Sequence, residues 1–165
     1  MRSIVLLLGL ILSWPVLPAP AHVHGEAKLD ITIDGNILAI HLETPLDGLL
    51  GFERSARTPV EKQAVRDMKT ILEQPDRLFL IAREAECTAL APRIESPVFD
   101  TKPGDGHLDL DADYRWQCAK PSALRDLNTR LFGEFPRLKR ITVQFVGPSG
   151  QKSGRLTPAQ SRFVW

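Results

Sequence analysis

Between Ala27 and Leu42 the chain alternates apolar and polar side chains on both sides of an Asp34-Gly35 turn signal, a pattern that leaves few folds open. Ala27, Leu29, Ile31 and Ile33 alternate with Lys28, Asp30 and Thr32, the period of a half-buried strand. Leu38, Ile40 and Leu42 continue the alternation on the return. With Asp34-Gly35 as the loop, Ile33 faces Asn36, Ile31 faces Leu38 and Leu29 faces Ile40. Every apolar side chain then falls on one face, so the hairpin needs cover on that side and can stay wet on the other.

The remaining pattern supplies the cover. Thr58-Pro59-Val60-Glu61 reads as a helix start, with Thr58 as N-cap, Pro59 in the first helical position and Glu61 closing a capping box. Val65, Met68, Ile71 and Leu72 make its apolar stripe, and Pro75 marks its end. Short strands are expected over 78–82 and 88–95. After the Gly104-Asp105-Gly106 turn, Leu108, Leu110, Ala112, Tyr114 and Trp116 alternate with polar residues in the clearest strand of the chain. A second helix is expected over 121–132, with Leu124, Leu127 and Leu131 inward. A closing hairpin follows around Gly147-Pro148-Ser149-Gly150, and an edge strand over 163–165. Strands and helices in this order, without regular β-α-β alternation, predict a single α+β domain. Its mostly antiparallel sheet should have about six to eight strands, with two helices on one face.

The N-terminus reads as a signal peptide over residues 1–21. Arg2 is followed by the apolar run Ile4 to Leu12, a Pro-containing stretch, and the small-x-small sequence Ala19-Pro20-Ala21. A membrane anchor needs roughly 20 apolar residues, and this run reaches about 14 even when carried across Pro15. Cleavage after Ala21 implies a periplasmic protein with no stable membrane insertion, and a single domain over 22–165. The whole chain holds 21 Lys+Arg and 20 Asp+Glu, and losing Arg2 balances the charge. A neutral chain has no electrostatic reason to hold nucleic acid. In an oxidising compartment Cys87 and Cys118 are expected to form a disulfide. Two metal-binding thiolates are the rival reading, disfavoured by the long spacing.

Metal chemistry is offered by histidines and carboxylates. In the expected register Glu26 faces Glu43 and Lys28 faces His41, so His24, Glu26, His41 and Glu43 share the wet face of the hairpin. Imidazole and carboxylate at cross-strand spacing can hold zinc; the alternative is an ordinary solvated face. His107, Asp109, Asp111 and Asp113 lie two apart and so on one face of their strand. That row invites either a cation or a neighbouring Lys or Arg. His22, as the first residue after cleavage, would offer an α-amine and an imidazole together. With His24 this all-nitrogen set favours copper(II) over zinc. No H-E-x-x-H, G-x-S-x-G or phosphate-binding glycine loop is present, and the chain is not expected to be an enzyme.

Several short pieces, in order and spacing, resemble the ZrgA-type family of periplasmic zinc-uptake accessory proteins. They are His22-Val23-His24-Gly25, Glu43-Thr44-Pro45, Gly51-Phe52-Glu53, and Cys87 with Ile94-Glu95-Ser96. His107 and Asp109 then lead to Tyr114, Trp116 and Cys118, followed by Leu131-Phe132, Phe135-Pro136, and Val143-Gln144 ahead of Gln151. The resemblance implies zinc as the bound metal and an inner-membrane metal transporter as partner. Family members commonly carry a long histidine-rich insert between the two cysteines; here that place holds the single histidine His107. The metal set therefore reduces to His22, His24, His41 and Glu43, with His107 and Asp109 as a second site. The rival reading is a metal-independent module that docks on an envelope complex.

Overall fold

The computed structural model describes residues 24–100 and 108–165. The expected leader, His22 and His107 lie outside them. The described chain runs β1 (Glu26–Asp34), β2 (Ile37–Pro45), α1 (Leu46–Leu50), α2 (Pro59–Leu72), α3 (Pro75–Leu78), β3 (Phe79–Leu80), β4 (Cys87–Ala89), β5 (Arg93–Glu95) and β6 (Asp109–Cys118). It closes with β7 (Asp126–Thr129), α4 (Leu131–Glu134), β8 (Arg140–Gly147), β9 (Gly150–Leu156) and β10 (Arg162–Val164). A seven-stranded sheet has the order β4-β6-β2-β1-β8-β9, with β5 also on β6, and a three-stranded sheet has the order β10-β7-β3. Pairing is antiparallel except between β1 and β8. The α+β expectation holds.

The alternation of the first hairpin is realised, and its register differs by two residues. Gly35 and Asn36 form the loop, so Asp34 pairs with Ile37, Ile31 with Ile40 and Leu29 with Leu42. Gly35 takes φ +56, which suits a loop with glycine in its first position. The Cys118 N–H donates to the Asn36 carbonyl at 2.8 Å, which ties the loop to the end of β6. A slip of two leaves the faces unchanged, so alternation alone does not distinguish the two registers. Its consequence is on the polar side: Lys28 lies opposite Glu43 and Asp30 opposite His41.

One long cluster fills the core. The inward residues of β1, β2, β6 and β8, from Leu29 and Ile40 to Tyr114 and Val143, are covered by Leu46, Val65, Met68 and Leu72 of the helices. Phe79, Leu127 and Phe163 of the small sheet complete the cover. Phe79 meets Tyr114 and Trp116 edge-on, with ring centroids 5.1 and 6.0 Å apart. The Trp116 indole donates to Asp76 of α3 at 3.1 Å. Burial pushes the Tyr114 phenol above the usual tyrosine range. Helix α2 begins with the expected capping box, Thr58 accepting from the Glu61 N–H and Glu61 from the Thr58 N–H.

The expected helix over 121–132 is replaced by a 3-10 turn at Pro121–Ala123, strand β7 and the short α4. Asp126, Asn128 and Thr129 are weak helix formers, and Leu127 and Thr129 alternate inward from β7. The buried Thr129 hydroxyl donates to the Leu78 carbonyl at 3.2 Å and accepts from the Leu131 N–H at 3.1 Å. The strand expected over 88–95 is split into β4 and β5, because Pro92 lies between them and has no N–H for the ladder. Cys87 and Cys118 lie opposite each other on β4 and β6 and form the expected disulfide.

Candidate metal centre

The uncovered face of the large sheet carries its polar residues in register. One row runs Glu95, Asp111, Glu43, Lys28 and Thr142 across β5, β6, β2, β1 and β8; the next runs Arg93, Asp113, His41, Asp30 and Gln144. The hairpin residues and the acidic strand, separate in the chain, thus form one surface because β6 pairs with β2.

His41 stands in the middle of this surface, its side chain 40% exposed. Its Nδ1 lies 2.8 Å from Asp113 Oδ1 and its Nε2 3.6 Å from Asp111 Oδ1. A carboxylate only accepts hydrogen bonds, so Nδ1 carries the hydrogen and donates to Asp113. Nε2 then points toward a second carboxylate with either a proton or a lone pair. Glu43 is not beside the imidazole; it accepts from Lys28 at 2.9 Å, and this bond holds the Lys28 ammonium above the usual lysine range. The expected Glu26–Glu43 and Lys28–His41 pairs are corrected accordingly. Glu26 instead binds Arg140 at 2.5 Å. Arg93 reaches Glu95 at 2.6 Å and Asp113 at 3.9 Å.

His24 has different partners. Its Nε2 lies 3.4 Å from Glu53 Oε1 and its Nδ1 3.8 Å from Asp47 Oδ2, with the imidazole 65% and the Glu53 side chain 9% exposed. Asp47 comes from the first turn of α1. Glu53 follows Gly51, whose φ of +82 ends that helix and whose missing Cβ leaves room for the Arg137 guanidinium. Gly25, at φ +74, accepts the N–H groups of Lys139 and Arg140 and so pins the backbone next to His24. Sequence reasoning did not select Asp47 or Glu53 as partners of a histidine. The signal available was the Gly51-Phe52-Glu53 segment among the family-like pieces.

Of the expected ligands, His24 and His41 each stand beside carboxylates, in two separate pairs, and Glu43 belongs to neither. Asp109 sits opposite Pro45 at the start of β6, where its carbonyl accepts from the Ser96 hydroxyl at 2.7 Å. His22 and His107 lie outside the described residues. Among the described residues, no three His, Cys, Asp or Glu side chains are gathered as a complete ligand set. Tetrahedral zinc with arms of about 2.0–2.2 Å holds neighbouring donors roughly 3.4 Å apart. The Nε2-to-carboxylate distances of 3.4 Å at His24 and 3.6 Å at His41 fit that spacing. At His41 the other ring nitrogen is hydrogen-bonded to a second carboxylate, Asp113, the arrangement that orients metal-bound imidazoles; at His24 the second carboxylate, Asp47, lies 3.8 Å from Nδ1, beyond hydrogen-bond reach. Each pair offers two donors toward the four such an ion takes.

Residues 21–165 match the family described as ZrgA family zinc uptake protein. The chain belongs to this family. Its role accordingly lies in zinc uptake. Comparison with curated proteins finds no match. Within the family's span fall both histidine pairs, both cysteines and every strand described above.

Proposed function

We propose that this protein is a soluble periplasmic zinc carrier that binds the ion at His24 and His41 and supplies an inner-membrane transporter. It acts by binding rather than by catalysis. The observation that carries the reading is the shared geometry of the two histidines. Each presents Nε2 to a carboxylate at zinc-ligand spacing, Glu53 at 3.4 Å and Asp111 at 3.6 Å, and at His41 a second carboxylate, Asp113, also holds Nδ1. Glu53 and Asp111 are the oxygen ligands. His22, two residues before His24, and His107, two residues before Asp109, are the further donors that the chain offers. Periplasmic location is supported by the leader-like N-terminus and by the disulfide, which an oxidising compartment preserves.

The test is growth in zinc-depleted medium of a strain whose own copy has been removed. The unaltered chain should restore growth, and the H24A/H41A variant, exported to the same level, should not. Full restoration by the variant would favour the metal-independent docking module.

A further inference from the structure

At the end of the sheet away from His24, three turns enclose a second, chemically different site. The β1–β2 loop at Gly35, the β8–β9 loop at Pro148 and the turn at Pro121 surround a cavity of about 530 Å³, within the range of small-molecule pockets. It shares no residue with either histidine pair. Ile33 and Leu124, 8% and 2% exposed, contribute apolar side chains to it. Trp165 forms a wall, its ring stacked on Phe145 at 4.7 Å and its backbone N–H donating to the Arg125 carbonyl at 3.1 Å. Pro121 and Pro148 add apolar surface without a backbone N–H.

Into this apolar frame comes one cation. Arg125 is exposed, and its guanidinium donates to the Leu124 carbonyl at 3.3 Å. Among the described residues it has no carboxylate partner, since neighbouring Asp126 is held by Arg162 at 2.6 Å. An arginine fork recognises carboxylate or phosphate. A single guanidinium, with no second Lys or Arg on the lining, balances a monoanion and leaves a phosphate dianion half-compensated.

We propose that this cavity binds a small organic carboxylate with an aromatic or branched apolar body. The body lies against Trp165 and Leu124, and the carboxylate pairs with Arg125. The probe is 3-phenylpropionate, titrated into the isotope-labelled protein and followed by amide and indole resonances, with uncharged 3-phenylpropanamide as its isostere. Saturable shifts should concentrate at Gly35, Leu124, Ser149 and the Trp165 indole, and the amide should bind about tenfold more weakly. R125Q, a change at an exposed side chain, should keep the spectrum of the fold and erase the preference for the carboxylate. Absent or scattered shifts, equal binding of the two compounds, or an intact preference in R125Q would each overturn the proposal.

Discussion

At His41 one hydrogen bond decides which ring nitrogen is available to a metal: Nδ1 donates to Asp113 at 2.8 Å, so Nε2 is the nitrogen that faces Asp111. Asp113 should therefore matter without touching zinc. In an H24A background, where only this pair is read, D113A should weaken zinc binding about tenfold, the low end for loss of an orienting carboxylate. Competition with a chromophoric chelator measures it, and an unchanged affinity would remove Asp113 from the site. His24, His41 and the carboxylates of β6 could be picked out in the sequence as candidate donors from their residue types and two-residue spacing. Asp47 and Glu53 were not legible in this way. They sit on a five-residue helix and the irregular segment after it, where no periodicity says which side chain points at which.

Helix α2 shows how a strong local signal survives folding. Thr58 and Glu61 satisfy each other's backbone N–H groups, and T58A should cost about 1 kcal/mol of stability in chemical denaturation. The Glu61 carboxyl is held at about 2, first by its hydrogen bond to Arg54 and then by the Arg57 and Thr58 N–H groups. Because the folded value lies below that of an unfolded glutamate, this contribution is complete above about pH 4.5 and fades as pH falls toward 2. Thermal melts of E61Q should thus lie below those of the unaltered protein at pH 7, with the gap closing near pH 2. A gap independent of pH would mean that the charge on Glu61 is not what stabilises the cap. The segment over 121–132 is the opposite case. Leu124, Leu127 and Leu131 have helical spacing, yet all three are buried from a turn, a strand and a separate short helix. Spacing of three and four is also what a broken path over a core produces, and only the pairing of β7 with β3 and β10 distinguishes the two.

Across the whole molecule, what was local in sequence was readable and what was distant was less so. The hairpin face followed from alternation, whereas the contact between His41 and Asp113, 72 residues apart, depends on β6 choosing β2 as its neighbour. The cysteines gave the one long-range link that could be named in advance. Their sequence separation of 31 gives an expected contribution of about 3–4 kcal/mol. The C87A/C118A variant should lose that much in urea unfolding, and intact mass of the unreduced protein should be two hydrogens light. Two freely alkylated thiols would contradict the pairing. Zinc binding itself is measured by calorimetric titration of the metal-free protein, produced from His22 onward. Saturable binding that weakens at least tenfold in H24A/H41A is the predicted result; no binding, or equal binding by the double variant, would contradict it.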